Sequence, residues 1–170
     1  YLSAPVALAI TTATPDATIR YTIDGDPPTA TTGEVYAGPI QVNSTRTVRA
    51  AAFKDGWRET NVDAHTYLFT ADIRSQPDML ASVVNAAAYT SQIEPGLKSL
   101  PVVALSLRNS DFFGADGIYS VATLSGRAQE VEVSFEYFDP ADGRSVQAGA
   151  GIRIHGGNAR SHPKKPLRLY

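Results

Sequence analysis

A mainly β chain is predicted: a β-sandwich over residues 1–70, a short helical connector over 71–99, and a second, incomplete antiparallel β module over 100–170. Three observations predict it. Apolar and polar residues alternate with period two in the first and third segments, as half-buried strands require. Turn signals built on Gly, Pro and Asp separate those runs. The middle segment alone has an Ala-rich composition with helical spacing.

In the first segment, VALAI (6–10) is a short apolar strand. ATIRYTID (17–24) sets Ile19, Tyr21 and Ile23 on one face against Arg20 and Thr22 on the other. TVRAAAF (47–53) alternates less cleanly, around Val48, Ala50 and Ala52. VDAHTYLF (62–69) groups Val62, Ala64, Thr66 and Leu68. TPDA (14–17) places Pro where a turn needs its fixed φ, and DGD (24–26) and KDGW (54–57) offer Gly for positive φ.

PDMLASVVNAAAYTSQ (77–92) reads as one connector helix, with Pro77 in the first turn, Asp78 at the positive end, and Pro95-Gly96 as its stop. Beyond it, PVVALSL (101–107) reads as a buried strand and NSDFFG (109–114) as a turn. EVEVSFEYF (130–138) alternates strictly, Val131, Val133, Phe135 and Tyr137 against Glu130, Glu132, Ser134 and Glu136. After the DPADGR turn (139–144), AGIRIHG (150–156) and PLRLY (166–170) form two more strands around a loop rich in Gly, Ser and Lys.

The net charge of −2 hides a segregation. Residues 1–150 hold ten basic and seventeen acidic residues, whereas residues 151–170 hold five basic and no acidic ones, which points to an anionic partner for that end, internal or external. With no cysteine, disulfides and thiolate metal sites are excluded. No apolar run reaches the roughly 20 residues that span a bilayer. The acidic whole, and a basic patch without interleaved aromatics, argue against nucleic acid. The abrupt start at Tyr1 and the finish in a strand-like run read as a piece of a longer polypeptide.

Several residues invite chemistry. His155 and His162 lie across a loop with no third strong ligand close in sequence, so surface histidines are the expectation rather than a metal site. DGD and DFFGADG (111–117) do not follow a calcium-loop pattern, and hairpin turns account for their Asp and Gly. Trp57, Tyr21 and Tyr36 would make a sugar platform if they stood exposed in a row. No Ser/His/Asp set has triad spacing, and the Glu strand reads as a solvated face rather than a carboxylate pair for glycoside hydrolysis. No catalytic residue is assigned.

Two resemblances follow from quoted blocks. TTATPDATIRYTIDGDPPT (11–29), YAGPIQV (36–42), TVRAAAFKDGW (47–57) and TYLF (66–69) resemble the chitobiase/β-hexosaminidase C-terminal type of domain. That implies an immunoglobulin- or fibronectin-III-like sandwich, found as an accessory module in large exported bacterial proteins. LPVVALSL (100–107), GIYS (117–120), VEVSFEYFDPADG (131–143) and AGIRIHGGNARSHPKKPLRLY (150–170) resemble the opening of CotH-like kinase domains. Members of that family are atypical protein kinases using ATP and a divalent metal such as Mg, with catalytic carboxylates downstream of this region. The resemblance implies an extracellular or cell-surface setting. It also makes Arg160, Lys164 and Lys165 candidate phosphate contacts, although the loop matches neither common phosphate-loop pattern. The competing reading pairs Arg153, Lys165 and Arg168 with Glu130, Glu132 and Glu136 across the sheet.

The expectation is therefore a non-catalytic structural or interaction segment of a large exported multidomain protein. Its partners would be other domains of the same polypeptide, or other copies joined through open strand edges. The alternatives are the incomplete ATP-binding lobe of a CotH-like kinase and a carbohydrate-binding accessory module.

Overall fold

The computed structural model describes residues 1–77 and 79–170. Two β modules pack against each other. In the first, β1 (Val6–Leu8) pairs antiparallel with β4 (Ile40–Val42). β2 (Thr18–Thr22), β3 (Glu34–Val35), β5 (Arg46–Phe53) and β6 (Asp63–Tyr67) form an antiparallel sheet in the order β3-β2-β5-β6. Val42, Val48 and Phe69 are buried between the two sheets, with Leu2, Val6, Leu8, Ile10, Tyr21, Ile40 and Tyr67 around them. Ile19 and Tyr21 share a face of β2, as the alternation predicts, whereas Ile23 lies beyond the strand end and is exposed.

The irregular alternation of β5 has a physical cause. Val48 and Ala52 are buried on the sandwich side, while Arg49 and Ala51 are buried on the other. A strand covered on both faces has no polar side to display.

The connector departs from the single predicted helix. It is three short helices: α1 (Thr70–Arg74), α2 (Ala81–Val84) and α3 (Ile93–Lys98). An Ala-rich stretch of this length is marginal as a free helix in water, so tertiary hydrogen bonds decide its shape. Arg74 donates to the Val84 carbonyl at 3.4 Å and to Thr90 Oγ1 at 2.5 Å, and the Thr70 hydroxyl donates to Glu94 at 2.8 Å. These bonds fold the segment back on itself. Pro95-Gly96 does not stop a helix but lies inside α3. Pro95 sits in the first turn, where its missing N–H would have had no intrahelical partner. The helix-end role read for Asp78 lies outside the described residues.

The second module is an antiparallel sheet in the order β10-β9-β8-β7, made of β7 (Val102–Ser106), β8 (Val131–Phe138), β9 (Ser145–Ile154) and β10 (Leu167–Leu169). β9 is longer than predicted, because Ser145–Gly149 continues the β8 ladder out of the turn. NSDFF is a short helix, α4 (Asn109–Phe113), rather than a turn. With the segment after it, α4 covers the apolar face of the sheet, where Ile118, Ala122, Val133, Ile152 and Ile154 are buried.

Candidate functional site: the contact between the two modules

The strict alternation of β8 puts Glu132, Ser134 and Glu136 on the face opposite Val133. That face is solvated at Glu132, as expected, but not at Ser134 and Glu136. Ser134 and Glu136 are buried, and the face meets the outer side of β5 and β6. The flanking strands offer small residues there: Gly149 and Gly151 stand opposite Ser134 and Glu132, and Ser106 stands opposite Ser134. A sheet face surfaced with such residues lets another sheet approach closely.

Polar pairs fix the contact. Arg49, 3% exposed, donates to the Gly25 carbonyl at 2.9 Å and lies 3.7 Å from Glu132. Burial lowers the Arg49 pKa, while the Glu132 and Asp26 carboxylates pull it the other way. Glu136, 8% exposed, accepts from the Thr66 N–H at 3.1 Å and from the Thr66 hydroxyl at 2.5 Å. Thr66 and Thr47 are hydrogen-bonded at 2.8 Å across the β5–β6 pair, which steers the Thr66 hydroxyl. The Gln147 amide donates to the Ala64 carbonyl, and Arg108 lies 3.9 Å from Asp26. Burial, and then the Glu136 charge, raise the Tyr67 pKa. At one end the Gly25 turn closes on Leu107, and next to it a cleft of about 520 Å³ opens between Asp24, Thr45 and Thr47 on one side and Leu105, Phe112 and Phe113 on the other.

The basic stretch follows the expected cross-sheet pairing only in part. Arg153 pairs with Glu130 at 3.3 Å, as expected. Glu132 and Glu136 are instead engaged by Arg49 and Thr66 of the first module, not by Lys165 or Arg168. Arg160 donates to four backbone carbonyls: Gly156 at 2.5 Å, Ala122 at 2.8 Å, Leu124 at 2.7 Å and Ile154 at 2.7 Å. Lys165 donates to the carbonyls of Arg160 and His162 at 2.7 and 3.1 Å and lies 4.7 Å over the Tyr119 ring. Of the three candidate phosphate contacts, two thus brace the loop, and Lys164 is exposed.

Other singled-out residues are dispersed. His155 and His162 are exposed. Asp24 accepts from the Asp26 N–H at 3.1 Å and so closes its own turn. Trp57 is 66% exposed beside Lys54, but Tyr21 packs in the sandwich core with its hydroxyl on Glu34 at 2.6 Å, so the two do not line up. No described helix is long and apolar enough to cross a membrane. Sequence reading passed over Arg49. The signal was there: an Arg directly before three alanines in a strand whose alternation fails.

Against known proteins, residues 1–64 match the family model of the chitobiase/beta-hexosaminidase C-terminal domain, a span that runs from β1 into β6. No curated protein and no solved structure matches the chain.

Proposed function

We propose that the chain is a non-catalytic structural and interaction segment of a large exported or cell-surface bacterial protein, in which the sandwich docks on the second β module and sets its orientation. One observation carries this reading: Arg49 and Glu136 are buried where the two sheets meet, each bonded to the other module or beside its charge. Buried polar groups add little net stability over apolar ones, but they penalise every arrangement that leaves them unpaired. Such a contact favours one orientation over many. The match of residues 1–64 to the C-terminal domain of a glycosidase family supports an accessory role for that module. The test is the unfolding of the intact chain, followed by hydrogen exchange in each module. Coupled modules lose protection together, and Arg49→Ala with Glu136→Ala separates them into two transitions. Two independent transitions in the unaltered chain would overturn the reading.

A second reading is favoured by the loop braced around Arg160, in which Lys164, Gly156 and Gly157 are all exposed. Under it, residues 100–170 open a CotH-like kinase domain, with ATP and Mg as ligands and Lys164 as the phosphate contact. Titration with Mg·ATP, followed by amide shifts over residues 156–165, tests it. Shifts that vanish in Lys164→Ala support it, and unchanged spectra at millimolar nucleotide defeat it.

A further inference from the structure

We propose that Glu136 and Gln147 together take the place of a neighbouring strand on the edge of β6, and that without them β6 pairs antiparallel with β6 of a second copy of the chain. The idea rests on the docking of the two modules and goes beyond it by giving the dock a task. β6 is an edge strand of its sheet. Its Thr66 N–H donates to Glu136 at 3.1 Å, and its Ala64 carbonyl accepts from the Gln147 amide. Both groups therefore point away from β5. Glu136 and Gln147 stand directly opposite one another on β8 and β9. They present an acceptor and a donor side by side, the two groups that a strand backbone would offer there. The edge is closed without a further strand.

The occupant that fits the uncapped edge is β6 itself, related by a two-fold axis. In an antiparallel ladder, residues whose N–H and C=O point outward alternate with residues bonded inward. On β6 the outward residues are Ala64 and Thr66. Setting Ala64 of each copy opposite Thr66 of the other uses every outward group of both residues and centres the axis on His65. A register shifted to either side would set Ala64 or Thr66 opposite a residue beyond the strand, Asp63–Tyr67. The side chains agree with the centred register. Asp63 then faces Tyr67, a carboxylate opposite a phenol that can donate to it. His65 faces its counterpart. Asp63 and His65 are exposed, and a cleft of about 320 Å³ between Leu8, Ile10, His65 and Tyr67 leaves their flank open. Pairing requires the second module to swing off the edge. Loss of both capping bonds favours that movement, since a module left in place would cover the Ala64 carbonyl and the Thr66 N–H without partners.

The test compares the unaltered chain with Glu136→Ala and Gln147→Ala combined, by sedimentation and by hydrogen exchange over a range of concentrations. The unaltered chain should stay monomeric, with its Thr66 amide protected at every concentration. The double variant should associate about tenfold more tightly, and its Ala64 and Thr66 amides should gain protection as concentration rises. Gln147→Ala alone alters only an exposed side chain, and should show the same dependence about threefold more weakly, whatever the double variant does to folding. Two additions to the uncapped variant identify the edge. Thr66→Pro removes an outward donor and no bond to β5, and should weaken association about tenfold. His65→Lys sets like charges opposite each other on the axis, and should weaken it about fivefold, whereas His65→Gln should not. Uncapped variants that stay monomeric at millimolar concentration would overturn the proposal. So would association indifferent to Thr66→Pro and His65→Lys, or an unaltered chain already paired through these amides. Docking itself is read from the unfolding transitions of the unaltered chain, so the two ideas fail separately.

Discussion

At the scale of the residue, Arg49 and Glu136 are the informative pair. Both are buried: Glu136 accepts from Thr66 across the contact, and Arg49, bonded to Gly25 within its own module, lies 3.7 Å from Glu132 across it. Glu136→Ala strips the acceptor from the Thr66 N–H and hydroxyl, and should cost about 2–3 kcal/mol in denaturant unfolding. Glu136→Gln keeps one oxygen as acceptor, and the hydroxyl can turn to accept from the new amide, so about 1 kcal/mol is expected. Equal losses for the two variants would mean that the carboxylate acts by charge rather than by its bonds. Arg49→Ala should cost about 2 kcal/mol, less than a fully buried pair would, because the Glu132 side chain is 75% exposed and can rehydrate. Alternation in β8 disclosed that its glutamates share a face. It could not disclose what covers that face, because period two separates two sides of a strand and is silent about the partner of either.

At the scale of the element, the connector shows where local sequence reading fails. Composition and spacing favoured one helix, and the fold has three, since Arg74, Thr70 and Glu94 make bonds between segments that no local window contains. Glu94 links α1 to α3 while pairing with Lys98 at 2.7 Å. Hydrogen bonds from Lys98 and then Thr70 lower its pKa. A carboxylate with a depressed folded pKa contributes stability above its unfolded pKa and loses it as pH falls through the folded value. Protection of the connector amides should therefore fall on acidification below the usual carboxylate range, and Glu94→Gln should flatten that dependence. An unaltered pH profile in the variant would remove Glu94 from this role. Gly96 lies within α3, and a methyl group added there would meet open space, so Gly96→Ala should stabilise the chain by roughly 0.5–1 kcal/mol, as measured by urea midpoint.

At the scale of the whole molecule, the turns and most strands were legible because their chemistry is local. The docking of one sheet on the other was not, because it depends on surfaces about 70 residues apart in sequence, as the Thr66–Glu136 bond is. Two glycines make that difference measurable. Gly25 and Gly56 both sit in hairpin-type turns with positive φ, at 93° and 75°. An alanine incurs a similar backbone penalty at either, on the order of 1–2 kcal/mol. Their surroundings differ. A methyl at Gly56 meets open space, whereas one at Gly25 lies 3.0 Å from the Leu107 oxygen, in backbone that cannot swing aside like a side chain. Gly25 also offers Arg49 its carbonyl, so displacing the turn disturbs the buried guanidinium as well. Gly25→Ala should thus destabilise the chain by more than Gly56→Ala, and should speed exchange at Thr66 in the contact, which Gly56→Ala leaves protected. If the two variants matched in both stability and Thr66 exchange, the turn would not belong to the dock, and Arg49 and Glu136 would have to hold the modules together unaided.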